Sequence, residues 1–241
     1  MQVFPRLECL YQSLCMRPVF DPELLPIVAD RSGLPAIPSE QLTATFIRQR
    51  MLSPPGWEPE LTDESRIYDR SRGLRDAAVL VPIIARTAGL SVMLTMRTAH
   101  LTEHAGQISF PGGRCEAVDE NAVATALRET TEEIGLDRRF IDVLGCLPDY
   151  ITGTGYHVRP VVGLVTEGFT LSPDPSEVAE VFEVPLAFLM DPQHHEQRIY
   201  RWEGGERRFY AMPYPRVSSG RHFIWGATAG MLRNLYHLLA A

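Results

Sequence analysis

Apolar side chains follow the period of β-strands along much of the chain after residue 76. Ala77–Ile84 is an apolar run typical of a strand buried on both faces, and Ala88-Gly89 forms a turn into an alternating run at Ser91–Arg97. The pattern therefore predicts a sheet of several strands. Further strands are predicted near 140–147, 158–166 and 178–184, and a hairpin around Glu203–Glu206 with arms at Ile199–Trp202 and Arg208–Met212.

Three segments repeat apolar residues with the period of a helix. The first spans 39–51, the second spans Asp119–Ile134, and the third spans 227–239. Gly135 follows the second segment, and glycine is a frequent C-cap because it adopts the left-handed conformation without strain. Strands and helices do not alternate strictly along the chain, so we predict a mixed α+β fold.

Residues 1–72 differ from residues 73–241 in their predicted elements and composition. They hold one predicted helix, which is followed by the proline-rich linker Ser53–Pro59. The next segment, Asp63–Arg75, is rich in charge and is predicted to be a loop. We interpret residues 1–72 as an N-terminal extension and residues 73–241 as a single domain.

The amino-acid composition excludes several classes of enzyme and binding protein. All 23 basic residues of the 241 are arginine. The absence of lysine excludes enzymes that need a Walker, Schiff-base or kinase lysine, so any phosphate is held by arginine, backbone amides or metal. The net charge of −7 argues against a general nucleic-acid or membrane-surface binder. The four cysteines form no CxxC pair, and Met1–Arg6 lacks the apolar core of a secretory signal, so we expect free thiols and a cytoplasmic location.

The second predicted helix carries an unusual group of acids. Glu129, Glu132 and Glu133 are spaced i, i+3 and i+4, so we expect all three to project from one face. Like charges at this spacing repel one another, and a divalent cation would remove that repulsion. A plain solvated acidic face is the alternative interpretation. The glycines of Pro111-Gly112-Gly113 favour a ligand site, because they allow backbone groups to approach a ligand closely.

The stretch from Gly113 to Gly135 resembles the Nudix box, the loop–helix–loop metal site of Nudix hydrolases. Arg-Glu-x-x-Glu-Glu-x-Gly is complete at Arg128–Gly135. Asp119 stands where that pattern has its first glutamate, and eight residues, rather than seven, separate it from Arg128. The resemblance implies a Nudix-type α/β/α sandwich with a mixed β-sheet. We expect the one-residue insertion to lie in the loop before the helix.

Other segments resemble the coenzyme A pyrophosphatase branch of this family. They are Leu94–Arg97, Gly106–Gly113, Val158–Gly163, Val181–Leu186 and Phe223–Gly230. The branch signature usually has arginine at the position of Thr102, so this departure keeps other substrates open. The resemblance implies cleavage of coenzyme A or an acyl-CoA to 3′,5′-ADP and 4′-phosphopantetheine. The alternatives are a Nudix enzyme acting on ADP-ribose, a dinucleotide or a nucleoside triphosphate, and a catalytically weak ligand-binding module.

The resemblance also assigns roles to individual residues. It implies Mg²⁺ or Mn²⁺ as the cofactor, a small nucleotide diphosphate as the substrate, and neither nucleic acid nor membrane as a partner; it leaves a homodimer open. Surface ion pairs compete with the roles of the arginines, and a solvent-facing loop position competes with that of Glu177. The expected metal ligands are Glu129, Glu133, Glu132 and the Gly113 carbonyl; the catalytic candidates are Glu132, Glu133, Arg128 and Glu177; the substrate-binding candidates are Arg97, Arg114 and His104.

Overall fold

A computed structural model describes residues 21–29, 33–60, 63, 73–99, 106–216 and 220–241. Most of the predicted strands are present, and several short strands join them. The strands are β1 (Ile27–Ala29), β2 (Arg75–Arg86), β3 (Gly89–Arg97), β4 (Ile108–Ser109), β5 (Gly112–Arg114), β6 (Ile141–Cys146), β7 (Tyr150–Ile151), β8 (Tyr156–Val165), β9 (Val178–Pro185), β10 (Glu196–Trp202), β11 (Gly205–Pro215) and β12 (Arg221–Trp225).

Within the described residues, four α-helices accompany these strands: α1 (Ala44–Leu52), α2 (Ala122–Ile134), α3 (Leu186–Leu189) and α4 (Ala227–Ala240). Helix α1 begins later than predicted, because Thr43 is its N-cap and accepts a hydrogen bond from the Phe46 amide. Helix α2 begins at Ala122 rather than Asp119, with Asn121 as its N-cap. It ends as predicted at Gly135, whose φ is 69°.

The central sheet is mixed. Its main path runs β4-β3-β2-β8-β6, and β5, β7 and β9 pair with β2, β8 and β3 respectively. Strands β2 and β8 are parallel from the Arg75–Tyr156 pair to the Ile84–Val165 pair, and the other pairings are antiparallel. The long apolar run of β2 therefore lies in the middle of the sheet, which explains why it is buried on both faces.

Helices cover both faces of this sheet. Ala126 of α2 packs on Ala78, Leu80 and Val161 of the sheet on one side. On the other side, Ile47 of α1 and Leu232 of α4 belong to the main core. The arrangement is the predicted α/β/α sandwich with a mixed sheet. None of the helices within the described ranges has the length and apolar character needed to span a bilayer.

A second sheet has the strand order β1-β10-β11-β12. The hairpin predicted around Glu203–Glu206 is its centre, with arms longer than expected. Strand β12 was not predicted, because its five residues are too few to show a clear alternation. This sheet matters for function, since Arg207 of β11 and Trp225 of β12 both reach the cleft described below.

The described part of the extension packs on this body. Strand β1 pairs with β10, and Ile47 of α1 is fully buried. Glu60 accepts hydrogen bonds from the Tyr210 hydroxyl, Arg233 Nε and His237 Nε2. Burial alone would raise the pKa of Glu60, but these hydrogen bonds outweigh it and lower the pKa to about 2. The division of the chain at residue 72 stays a prediction.

Candidate active site

The site is built on the two consecutive glycines of β5. Gly112 has a φ of 153° and pairs with Val79 of β2, where a Cβ would lie 2.4 Å from the Ala78 carbonyl oxygen. No side chain fits there, so the chain needs glycine at this position. The Gly112 amide donates a 3.0 Å hydrogen bond to Oε2 of Glu133. The strand thereby brings a backbone donor to a carboxylate of α2.

Gly113 makes room for a second carboxylate of the same helix. A Cβ on Gly113 would lie 2.4 Å from Cδ and 2.5 Å from Oε2 of Glu129. The Glu129 carboxylate therefore occupies the space that any other residue at position 113 would fill. Glu129 and Glu133 are one helical turn apart, so β5 receives both carboxylates side by side.

Burial perturbs both acids. The side chain of Glu133 is only 6% exposed, and burial together with the charges of Glu177 and Glu129 raises its pKa to about 7, against the opposing effects of Gly112 and Arg97. Burial likewise raises the pKa of Glu129, with Glu132 and Glu177 adding to the effect. Such clustered carboxylates store electrostatic repulsion, which is frequent at functional sites.

Arg128 holds the acids and the preceding loop together. Its guanidinium donates two 2.9 Å hydrogen bonds to the Asp119 carboxylate, and it also donates to Oε1 of Glu129 and Oε2 of Glu132. Asp119 further accepts from the Glu116 amide and the Thr125 hydroxyl. Hydrogen bonds from Arg128 and Glu116 hold the pKa of Asp119 well below its ordinary value. Asp119 thus ties the inserted loop to the helix, and Arg128 orients the carboxylates.

The three glutamates do not share one environment. Glu129 and Glu133 are 18% and 6% exposed and line the cleft, whereas the Glu132 side chain is 60% exposed and contacts Arg128. Glu132 is nevertheless a neighbour of Glu129, because Arg128 Nη1 donates to both carboxylates, and the three acids differ in burial. Residues three and four apart are neighbours on a helix, but the sheet packs against only part of that surface.

These groups open onto a cleft of about 620 Å³. Arg97, Arg114 and Glu177, which the sequence analysis proposed as substrate-binding or catalytic candidates, line this cleft. Arg97 lies beside Glu133, with Nη1 3.5 Å from Oε1. His104 and Thr102 lie outside the described residues. The cleft is also lined by residues that the sequence did not assign to binding, among them Arg207, Thr152, Gly153, Phe110, Val158 and Met231.

Arginine side chains contact the carboxylates in this structure. Within the described ranges, no three His, Cys, Asp or Glu side chains are grouped so as to hold a metal ion. Arg128 bridges Glu129 and Glu132, and Arg97 approaches Glu133. Cys115 and Cys146 are free thiols.

Comparison with known proteins finds Nudix domains and Nudix hydrolases. The model of the NUDIX domain matches residues 74–202. The uncharacterized Nudix hydrolase NudL of Escherichia coli K12 is 40% identical over 162 residues, covering 67% of this chain and 81% of the relative. A C. elegans Ap4A hydrolase binary complex superposes with a TM-score of 0.40 at 18% identity, covering 46% of this chain and 80% of that one. The NUDIX domain of Shewanella oneidensis NrtR complexed with ADP ribose gives 0.38 at 22% identity, covering 50% and 79%.

A mixed sheet between helices, with a glycine strand that receives the carboxylates of one helix, defines a hydrolase fold of the Nudix class. The extent of the domain match and the identity to NudL show that the chain belongs to the Nudix family. It is a Nudix pyrophosphohydrolase, an enzyme that hydrolyses pyrophosphate bonds.

Proposed function

We propose that this enzyme cleaves the pyrophosphate bond of coenzyme A or an acyl-CoA, giving 3′,5′-ADP and 4′-phosphopantetheine. The observation that carries the proposal is the two-part lining of the cleft. The carboxylates of Glu129 and Glu133 form part of the lining, and the apolar side chains of Phe110, Val158 and Met231 form another part. A substrate with a diphosphate and a long, weakly polar arm suits such a lining. The segments that resemble the coenzyme A branch support the same substrate.

The donor set fits Mg²⁺ or Mn²⁺. Glu129 and Glu133 offer carboxylate oxygens side by side, and the Gly113 carbonyl belongs to the strand that both acids contact. Hard divalent ions prefer such oxygen ligands, and burial raises the pKa of both acids, which a bound cation would counteract. When bound, the cation would neutralise the charge that develops on the diphosphate as its bond breaks. Glu132 would support this site through its contact with Arg128, and it is also an expected third ligand.

Glu177 is the stronger candidate for the general base. It lines the cleft together with Glu129 and Glu133, and its charge raises the pKa of both. Glu132, the other candidate, is largely exposed. In the proposed reaction the base takes a proton from water as the water oxygen attacks phosphorus. The P–O bond to the bridging oxygen breaks, and the second phosphate leaves with that oxygen.

Arginine supplies the phosphate contacts. Arg97 lies beside Glu133 in the cleft, and its buried Nε has no hydrogen-bond partner among the described residues. A bound phosphate oxygen would satisfy that donor, because guanidinium and phosphate form short charge-assisted hydrogen bonds. Arg128 has a different role, because its hydrogen bonds hold the carboxylates of Glu129 and Glu132 in place. Arg128 is itself hydrogen-bonded to Asp119.

Another Nudix substrate is the second candidate. Thr102 stands where the coenzyme A branch usually has arginine, which favours ADP-ribose, a dinucleotide or a nucleoside triphosphate if that arginine is needed for coenzyme A. A weak ligand-binding module is the least favoured interpretation, since a binding module needs no paired carboxylates at the site.

The test is a substrate panel. Purified protein is incubated with Mg²⁺ or Mn²⁺ and with coenzyme A, acetyl-CoA, ADP-ribose, a dinucleotide or a nucleoside triphosphate, and the products are separated. Glu133→Gln is the inactive control, and Glu167→Gln, at an exposed position between β8 and β9, is the matched acid control. We expect coenzyme A compounds to be preferred. Turnover of ADP-ribose but not of coenzyme A would contradict the proposal, and no turnover at all would favour the binding module.

A further inference from the structure

The cleft has a second charged region apart from the carboxylates. Arg114 leaves β5 immediately after Gly113, and Arg207 comes from β11 of the second sheet. Both line the same cleft as the turn at Thr152, Gly153 and Thr154. Two guanidiniums from different sheets therefore meet one cavity, next to the polar atoms of a tight turn.

Tyr156 fixes the side chain of Arg114. The Tyr156 hydroxyl accepts hydrogen bonds from Arg114 Nε at 3.1 Å and from Nη2 at 3.0 Å. The other side of this anchor is Arg75, whose Cζ lies 4.0 Å from the centre of the Tyr156 ring and whose Nη2 donates to the Thr154 carbonyl. Arg114 is thus directed towards Tyr156, whereas the carboxylates of Glu129 and Glu133 face the glycines of β5.

Arg207 approaches the same turn from the second sheet. Its Cζ and Nη1 lie 3.9 Å from the place that a Cβ on Gly153 would occupy. Gly153 belongs to the turn in which the Thr152 hydroxyl accepts from the Tyr156 amide and lies 3.1 Å from the Thr154 hydroxyl. The turn therefore connects Arg207 to the anchor of Arg114. Glu116 also lines the cleft.

The alternation of β11 singles out Arg207. Arg208, the next residue, points to the opposite face of the strand and donates to Oε1 of Glu206 at 3.1 Å. It does not line the cleft, as Arg207 does. Two arginines that are adjacent in sequence thus have different surroundings, and they form a matched pair for mutagenesis.

We propose that Arg114 and Arg207 form a subsite for a phosphomonoester on the substrate, separate from the diphosphate that is cleaved. This inference rests on the proposed function, because a nucleotide with a phosphate on its ribose is the class of substrate that carries both groups. Arginine binds the doubly charged phosphomonoester with paired hydrogen bonds, and the threonine hydroxyls of the turn add neutral donors. The subsite selects phosphorylated nucleotides over their unphosphorylated counterparts.

Binding of two small nucleotides tests the subsite without any turnover. Adenosine 3′,5′-bisphosphate and AMP are titrated into the whole protein by calorimetry, with Mg²⁺ present. We expect the bisphosphate to bind at least tenfold more tightly, since a charge-assisted contact contributes about tenfold to a hundredfold in affinity. Arg207→Gln and Arg114→Gln should each remove most of this preference, Arg207→Lys should keep part of it, and Arg208→Gln should leave it unchanged.

The kinetic counterpart uses coenzyme A and 3′-dephospho-coenzyme A. We expect wild type to prefer coenzyme A through KM, and Arg207→Gln to raise KM for coenzyme A alone. Equal binding of the two nucleotides by wild type, or the same loss in Arg207→Gln and Arg208→Gln, would overturn the subsite. Failure of the proposed function has a different signature: neither coenzyme A compound is hydrolysed, while the calorimetric preference is still measured.

Discussion

Replacing Gly113 by alanine separates the catalytic geometry from the fold. The added Cβ would lie 2.4 Å from Cδ of Glu129, about 1 Å inside the optimal carbon–carbon separation of roughly 3.5 Å. The contact is with the end of a flexible side chain, so Glu129 swings aside at little cost in stability. A carboxylate displaced by about 1 Å loses its productive position, and such a shift lowers turnover by about a hundredfold. We therefore expect Gly113→Ala to fold normally and to lose most of its activity.

Gly112→Ala gives the opposite contrast. Its Cβ would meet backbone atoms, the Ala78 oxygen at 2.4 Å and the Val79 Cα at 2.5 Å, and its φ of 153° disfavours any side chain. Backbone cannot move aside as a side chain can. We expect this variant to lose about 3 kcal/mol or more of unfolding free energy.

The assay combines metal-dependent diphosphate hydrolysis with urea unfolding. Gly56→Ala is the control, because no atom of the described residues lies within 4 Å of its added Cβ. Full activity in Gly113→Ala would refute the reasoning, since the position of Glu129 against β5 would then be irrelevant to catalysis. A loss of stability in Gly113→Ala as large as that in Gly112→Ala would refute it as well.

Three further predictions concern the groups around the site and the core. Arg128→Gln removes the hydrogen bonds to Asp119 and Glu129, so urea unfolding should show a loss of about 2 kcal/mol of unfolding free energy, and kcat should also fall. An unchanged kcat would argue that Arg128 forms a purely structural ion pair. Burial lowers the pKa of His195 from 6.5 to about 4, so the unfolded chain binds the proton at a higher pH than the folded one. The stabilisation is therefore complete above pH 7, and it falls by on the order of 3 kcal/mol as the pH drops from about 6.5 through 4. Urea titrations should find this dependence on pH flattened in His195→Gln. The lowered pKa of Glu60 means that its contribution to the unfolding free energy is present above pH 4.5 and is lost as the pH falls through about 2. Glu60→Gln should therefore cost about 2 kcal/mol of unfolding free energy at pH 7. An unchanged unfolding midpoint in this variant would contradict the role of the hydrogen bonds around Glu60.

Much of the fold could be predicted from the sequence, because apolar periodicity reports burial directly. The main strands and the end of α2 at Gly135 are where the pattern places them. The predicted start of α1 was wrong. The polar residues 39–41 resemble a helix start, but they form a turn, and Thr43 is the N-cap. Competing polar caps within a few residues are not resolved by pattern alone.

The candidate site was predicted unevenly for a physical reason. The spacing of Glu129, Glu132 and Glu133 shows which residues are neighbours on a helix, but not which of them the sheet will bury. The pattern predicted that Asp119 begins the helix, whereas it lies in the preceding loop, where its carboxylate accepts hydrogen bonds from the Glu116 amide and from Arg128. Arg207 had no signal at all, because a hairpin arm does not reveal which cleft its side chains enter. Long-range packing decides these points.

The most direct test of the account is the metal-dependent hydrolysis of coenzyme A by three single variants. Products are identified as 3′,5′-ADP and 4′-phosphopantetheine, and turnover is measured for Glu129→Gln, Glu133→Gln and Glu132→Gln with Mn²⁺ and with Mg²⁺. The account predicts a loss of at least about a hundredfold for Glu129→Gln and Glu133→Gln, and a smaller loss for the exposed Glu132. Coenzyme A turnover that survives in Glu133→Gln, or no coenzyme A turnover in wild type, would contradict it.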